Sequence, residues 1–159
     1  MYIVAYNGSQ LSNAALHRAA TYAKQTGDDV LAVAVVPEDA EYAVEQGWIP
    51  SKDDFDRDDI VSELHRTAVK IAPRASFRSL AAGRFPAPGE IVGKLKRVAH
   101  NEDADVVFVG SENAGRVVTP LASVGGNVAS GKTYDVHIVR HAPPNVRERL
   151  PKSDFYFTD

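Results

Sequence analysis

The sequence predicts an α/β fold: a single five-stranded parallel sheet, in the order 3-2-1-4-5, with helices on both faces. Apolar runs of strand length alternate with amphipathic runs of helix length along the chain, the pattern of successive crossover units. Two of the strand runs, "VLAVAVV" (30–36) and "DVVFVG" (105–110), are apolar almost throughout, as expected of strands covered on both sides. With 159 residues the chain has room for one core and not for two.

The elements follow in order. "YIVAY" (2–6) is rich in β-formers and stops at Asn7-Gly8. The first helix carries Leu11, Ala15, Leu16, Ala19, Tyr22 and Ala23 at helical spacing. Ser9 or Ser12 caps it, and Gly27 falls just past its end. Pro37 closes the second strand. "EDAEYAVEQ" reads as a short helix before Gly47, and "GWIPSKDDFD" as loop. A second amphipathic helix begins in "DRDDIV", where acidic residues suit the helix dipole; Ile60, Val61, Leu64, Ala68, Val69 and Ile71 form its stripe. "ASFRSLAAG" is the third strand, and "PGEIVGKLKRVAHNEDA" a helix with Ile91, Leu95, Val98 and Ala99 on one face. After the fourth strand comes "PLASVGGNVASG", a short helix of small residues, and then "DVHIVR" (135–140), the fifth strand. Residues 1–141 make the domain, and 142–159, with prolines and both charge signs, a C-terminal extension.

Composition excludes several functions. A net charge of −3 gives no basic footprint for nucleic acid. The absence of cysteine removes thiolate catalysis, disulfides and cysteine-ligated zinc. Neither a basic leader with an apolar h-region nor a run of roughly 18 apolar residues is present, so a cytoplasmic protein with no membrane partner is expected. His17, His65, His100, His137 and His141 show no metal-ligand spacing. Neither a nucleophile elbow nor a P-loop occurs, so a binder rather than an enzyme is expected.

The ends of the first and fourth strands, "YNGS" and "VGSENAG", meet at the switch point if the order is 3-2-1-4-5, and ligands of doubly wound sheets sit there. The glycines of the second loop let backbone approach an anion, and the helix that follows near Thr119-Pro120 offers free N–H groups. Tyr6, Asn7 and Gly110 are therefore candidate ligand contacts. Gly110 as a plain strand-ending turn is the competing reading.

"IVAYNGSQLSNAALHRAATYA", "VLAVAVVPEDA", "ADVVFVGSENAG" and "SVGGNVASGKTYDVHIVR" resemble the universal stress protein family, over roughly residues 1–141. The resemblance implies a Rossmann-like, adenine nucleotide alpha hydrolase-like fold, a stress-response role and ATP or AMP as ligand, with magnesium only alongside ATP. ATP-binding members carry glycine, two residues, glycine, nine residues, glycine and a hydroxyl residue. Gly110 matches the first position and Asn113 replaces the second glycine. Anchoring on the fifth strand puts Ala122-Ser123 at the last pair, one residue short. The rival register pairs Gly115 with Gly125 and loses the hydroxyl to Gly126. By resemblance, Val35 and Val109 border the adenine, while Gly110, Asn113, Ser123 and Val124 border the phosphates, with Gly115 adding freedom nearby. Asn7 stands where the family has aspartate.

The resemblance also implies a homodimer formed through the fifth strand, Asp135 to Arg140, whose apolar edge needs cover. The tail, with Phe155, Tyr156 and Phe157, crosses to the partner or folds on its own subunit. Tyr42, Val44, Trp48 and Ile49 lie outside the regular elements, as a satellite cluster or as a lid or subunit contact. Three functions remain open: a dimeric nucleotide sensor or regulator, a dimeric interaction module that has lost the nucleotide, and an enzyme or carrier on a related fold.

Overall fold

A computed structural model describes residues 1–112 and 134–142. The strands are β1 (Tyr2–Ala5), β2 (Val30–Pro37), β3 (Ser76–Ala82), β4 (Val106–Gly110) and β5 (Asp135–Val139). The helices are α1 (Gln10–Thr26), α2 (Ala40–Glu45), α3 (Arg57–Ile71) and α4 (Pro88–Asn101), with a 3-10 turn at Lys52–Asp54. All strand pairings are parallel, in the order β3-β2-β1-β4-β5, as the alternation of elements predicts. The expected helix over 120–131 and the extension beyond 142 lie outside the described residues.

The pleat divides the core in two. On one face Val4, Tyr6, Ala32, Val36 and Phe108 meet Leu16 and Ala19 of α1 and Ile60 and Leu64 of α3. On the other, Ile3, Leu31, Val33 and Val107 meet Val98 and Ala99 of α4. Every residue of β2 is buried, because helices cover both of its faces. Leu16 is fully buried between α1 and the sheet, so truncating it to alanine would cost about 2–5 kcal/mol.

Local chemistry sets the helix ends. Of the two candidate caps for α1, Ser9 is the one used: its backbone is extended, and its Oγ accepts from the Ser12 N–H at 3.1 Å. Gly27 closes the helix in the left-handed conformation (φ 78°), with its N–H on the Ala23 carbonyl at 2.8 Å. Asp56 caps α3, with Asp58 and Asp59 in the first turn.

Three expectations need correction. Val69 is 43% exposed rather than part of the α3 stripe: nine residues after Ile60, it points to the opposite side of the helix. Its place in the core is taken by Thr67, which is buried and donates to the Glu63 carbonyl at 3.0 Å. Tyr42 and Val44 belong to α2 and are not outside the regular elements. Trp48 is 2% exposed and part of the main core, not a satellite cluster or lid.

At the β5 edge His137 stacks on Phe108 (4.9 Å between centroids) and meets the edge of Tyr22, while its Nε2 lies 3.4 Å from Arg18 Nη1. Burial, and then the Arg18 charge, hold this imidazole below the usual histidine range. The unfolded chain therefore binds a proton more readily than the folded one. The neutral ring's stability is fully present above the unfolded value, about 6.5, and is lost as pH falls below it. Denaturant titration across that window is expected to show stability falling with pH, and His137→Gln to flatten the fall.

Candidate functional site

The turn after β1 brings together most of the groups that shape the carboxyl end of the sheet. β1 continues one residue past its last ladder position, the Tyr6 N–H donating to the Val33 carbonyl at 2.9 Å. Gly8 takes the left-handed conformation (φ 78°) and turns the chain into α1. Asn7 holds this turn. Its Oδ1 accepts from the Ser9 N–H at 3.0 Å, an Asx turn, and its own N–H reaches Ser12 Oγ at 3.4 Å. Its carbonyl accepts from the Trp48 indole N–H at 2.8 Å, and its Nδ2 reaches Gln46 Oε1 at 3.4 Å. The turn, the α2 region and the start of α1 are thereby joined through one asparagine.

Next to this turn lies a small cleft of about 50 Å³ that opens to solvent. Ala5, Val33 and Val35 form its floor, Tyr42 and Gln46 of the α2 region one wall, and Ile91, Val92 and Leu95 of α4 the other; Tyr6 and Asn7 border it. Among the described residues no acid, lysine, arginine or histidine lines it. It offers apolar surface with amide groups at one end, the composition of a pocket that orients a flat, mostly apolar ligand by a few hydrogen bonds. Among the described residues no three histidines or carboxylates gather as a metal site.

The predicted site residues divide accordingly. Tyr6, Asn7 and Val35 share the cleft. The Tyr6 ring, however, is buried on the α1 side, where its hydroxyl donates to Asn13 Oδ1 at 2.6 Å, and Asn13 Nδ2 donates to the Gly8 carbonyl at 3.2 Å. Val109 is fully buried with Ala5, Leu95 and Val136 and does not line the cleft. Asn113, Gly115, Ser123 and Val124 lie outside the described residues, as do Thr119-Pro120, Ala122, Gly125 and Gly126.

Gly110 ends β4 beside β1, at the switch point. Its φ lies outside the left-handed region, so the glycine answers to space rather than conformation. A Cβ there would stand 2.8 Å from Leu11 Cβ and 3.3 Å from the Leu11 carbonyl carbon. The first turn of α1 packs directly on the strand end. Two residues on, where the chain turns helical directly after β4 rather than entering the expected loop, Glu112 accepts a hydrogen bond from the Ser9 hydroxyl and is tethered to the cap of α1.

Sequence reasoning missed the Trp48–Asn7 bond and the walls supplied by α2 and α4. The one available signal was a lone tryptophan following a glycine, Gly47, which takes φ 77° and turns the chain back toward the sheet.

The order reversal at β1 and β4 and the cleft at the strand ends define a doubly wound α/β protein. The chain belongs to the universal stress protein family, whose model matches residues 2–140. No curated protein sequence matches it. Among solved structures, a universal stress protein from Archaeoglobus fulgidus in complex with dAMP aligns with a TM-score of 0.51 at 20% identity, over 87% of this chain and 96% of that one. A protein of the family from Burkholderia pseudomallei aligns with a TM-score of 0.53 at 17% identity, over 88% and 96%. Likeness at these identities establishes the fold.

Gly110→Ala is expected to cost about 1–3 kcal/mol, because α1 must move off the strand end to admit the methyl group. Thermal unfolding should show Tm lower by several degrees. An unchanged Tm would mean that α1 adjusts freely.

Proposed function

We propose that this universal stress protein takes an adenine nucleotide, AMP or ATP, at the switch point and acts as a dimeric sensor or regulator in the stress response. The observation that carries the reading is the uncharged cleft at the carboxyl ends of β1 and β2, floored by Val33 and Val35 and bordered by the amides of Asn7 and Gln46. An adenine ring fits that chemistry, and the sugar and phosphates then extend across β1 toward Gly110. The related protein from A. fulgidus was solved with dAMP. Magnesium enters only with ATP. Binding rather than turnover is the activity, since no group able to move a proton at neutral pH lines the cleft among the described residues. The setting is the cytoplasm, without nucleic acid or membrane as partner.

The dimer forms through β5, the outer strand of the sheet. Its backbone is unpaired on one side within the described residues, and Ile138 is 40% exposed. Asp135 to Arg140 would pair with the same segment of a second copy.

A second reading has its own support. The Asn7 amide is already engaged by the Ser9 N–H and Gln46, and Glu112 sits at the cap of α1, the end that attracts anions. This arrangement suits a dimeric interaction module of the same fold that holds no nucleotide.

Calorimetric titration with AMP, and with ATP with and without magnesium, decides between them. The sensor reading expects one site per subunit in the micromolar range, about −8 kcal/mol at 1 μM. It also expects adenine nucleotide absorbing at 260 nm in the supernatant of denatured, freshly purified protein. No heat at millimolar nucleotide would leave the interaction module.

A further inference from the structure

We propose that Phe85 forms a ring-stacking subsite at the mouth of the cleft, closing over the base of the nucleotide; the inference rests on the nucleotide reading above. Three observations meet at this residue. Phe85 is 78% exposed, the most exposed of the large apolar side chains described. Its backbone is held at φ 50°, a left-handed conformation that is an outlier for a bulky side chain. And the recess it lines adjoins the cleft, with Tyr42 and Ile91 lining both. An isolated surface aromatic needs no explanation. One kept in an unfavourable conformation, lining a recess of about 450 Å³, fits a ligand clamp, where such strain recurs.

A single carboxylate holds it there. Asp39 caps α2 with Oδ1, which accepts from the Glu41 and Tyr42 N–H groups at 3.0 and 3.1 Å. Its Oδ2 accepts from the Phe85 N–H at 3.1 Å. One side chain thus ties the β3–α4 loop to α2, across the rim of the cleft. Glu41 and Glu45 give the recess a negative edge. Phosphates are unwelcome at that edge, whereas an amino-bearing planar ring can stack on Phe85 and turn its donors toward the carboxylates. The topology agrees: this recess lies on the β2 side of β1, and Gly110 on the β4 side, so base and phosphates would fall on opposite sides of the switch point.

The test uses the full chain and AMP, titrated by calorimetry into wild type, Phe85→Ala, Phe85→Trp and Asp39→Asn. Base stacking on an aromatic side chain is worth roughly a five- to hundredfold change in affinity. Phe85→Ala is expected to weaken AMP by about tenfold within that range, and Phe85→Trp to restore it. The amide introduced by Asp39→Asn keeps one acceptor oxygen for the α2 cap but turns an NH2 toward the Phe85 N–H, so this variant should weaken AMP while Tm holds. Wild type binding AMP with Phe85→Ala within twofold of it would overturn the subsite and leave the nucleotide reading standing. Weakening by Phe85→Ala without rescue by Phe85→Trp would overturn stacking. Silence of the wild type toward millimolar AMP would overturn the nucleotide reading, and the subsite with it.

Discussion

The carboxyl end of this sheet depends on the turn at Asn7. A parallel strand that stops in mid-sheet leaves its last backbone groups without ladder partners, and those groups must be satisfied locally. Here one residue provides for them: its carbonyl takes the Trp48 indole, its side-chain oxygen takes the Ser9 N–H, and its own N–H reaches Ser12. The bonds do more than satisfy the turn. They start α1 at Ser9, anchor the chain beyond α2 against the core, and place Gln46 at the edge of the cleft. Aspartate at this position could accept from Ser9 equally well. To keep the link to Gln46 it would need the glutamine amide turned over, so that the NH2 donates instead of the oxygen accepting.

The space around β1 is used unequally on its two sides. Toward β2, the strand ends stand clear of the helices, and a cleft opens between α2 and α4. Toward β4, α1 comes so close that only glycine fits at position 110. Both follow from one topology: α1 leaves β1 on the face away from α4 and crosses the end of β4 at its first turn. The close contact fixes where α1 begins, and the opposite face is left with the cleft.

Most of the fold was legible in the sequence because it is carried by local patterns. Unbroken apolar runs marked β2 and β4, Gly27 and the acidic first turn marked helix ends, and the crossover rule then left few strand orders. Errors came where a pattern was read too generously. Val69 is apolar but lies on the far side of its helix, Thr67 takes its place, and Thr67 and the equally buried Asn13 are polar residues whose hydrogen bonds cannot be seen in sequence. The candidate cleft was legible only in part. Tyr6, Asn7 and Val35 do converge, but the Tyr6 ring turns into the core, Val109 is sealed beneath Leu95, and the walls come from α2 and α4, remote in sequence. Resemblance aligns strand ends well; which way a side chain faces there depends on the pleat and on what packs above it.

Trp48 is the only tryptophan in the chain, and its indole N–H ends on the Asn7 carbonyl at the border of the cleft. All indole emission from this protein therefore arises from one buried ring bonded to one carbonyl. The energy of an excited indole shifts with the polarity and hydrogen bonding around it, so the colour of that emission reports the state of the turn after β1. The protein carries an optical probe at the place where its sheet, its first helix and its cleft join.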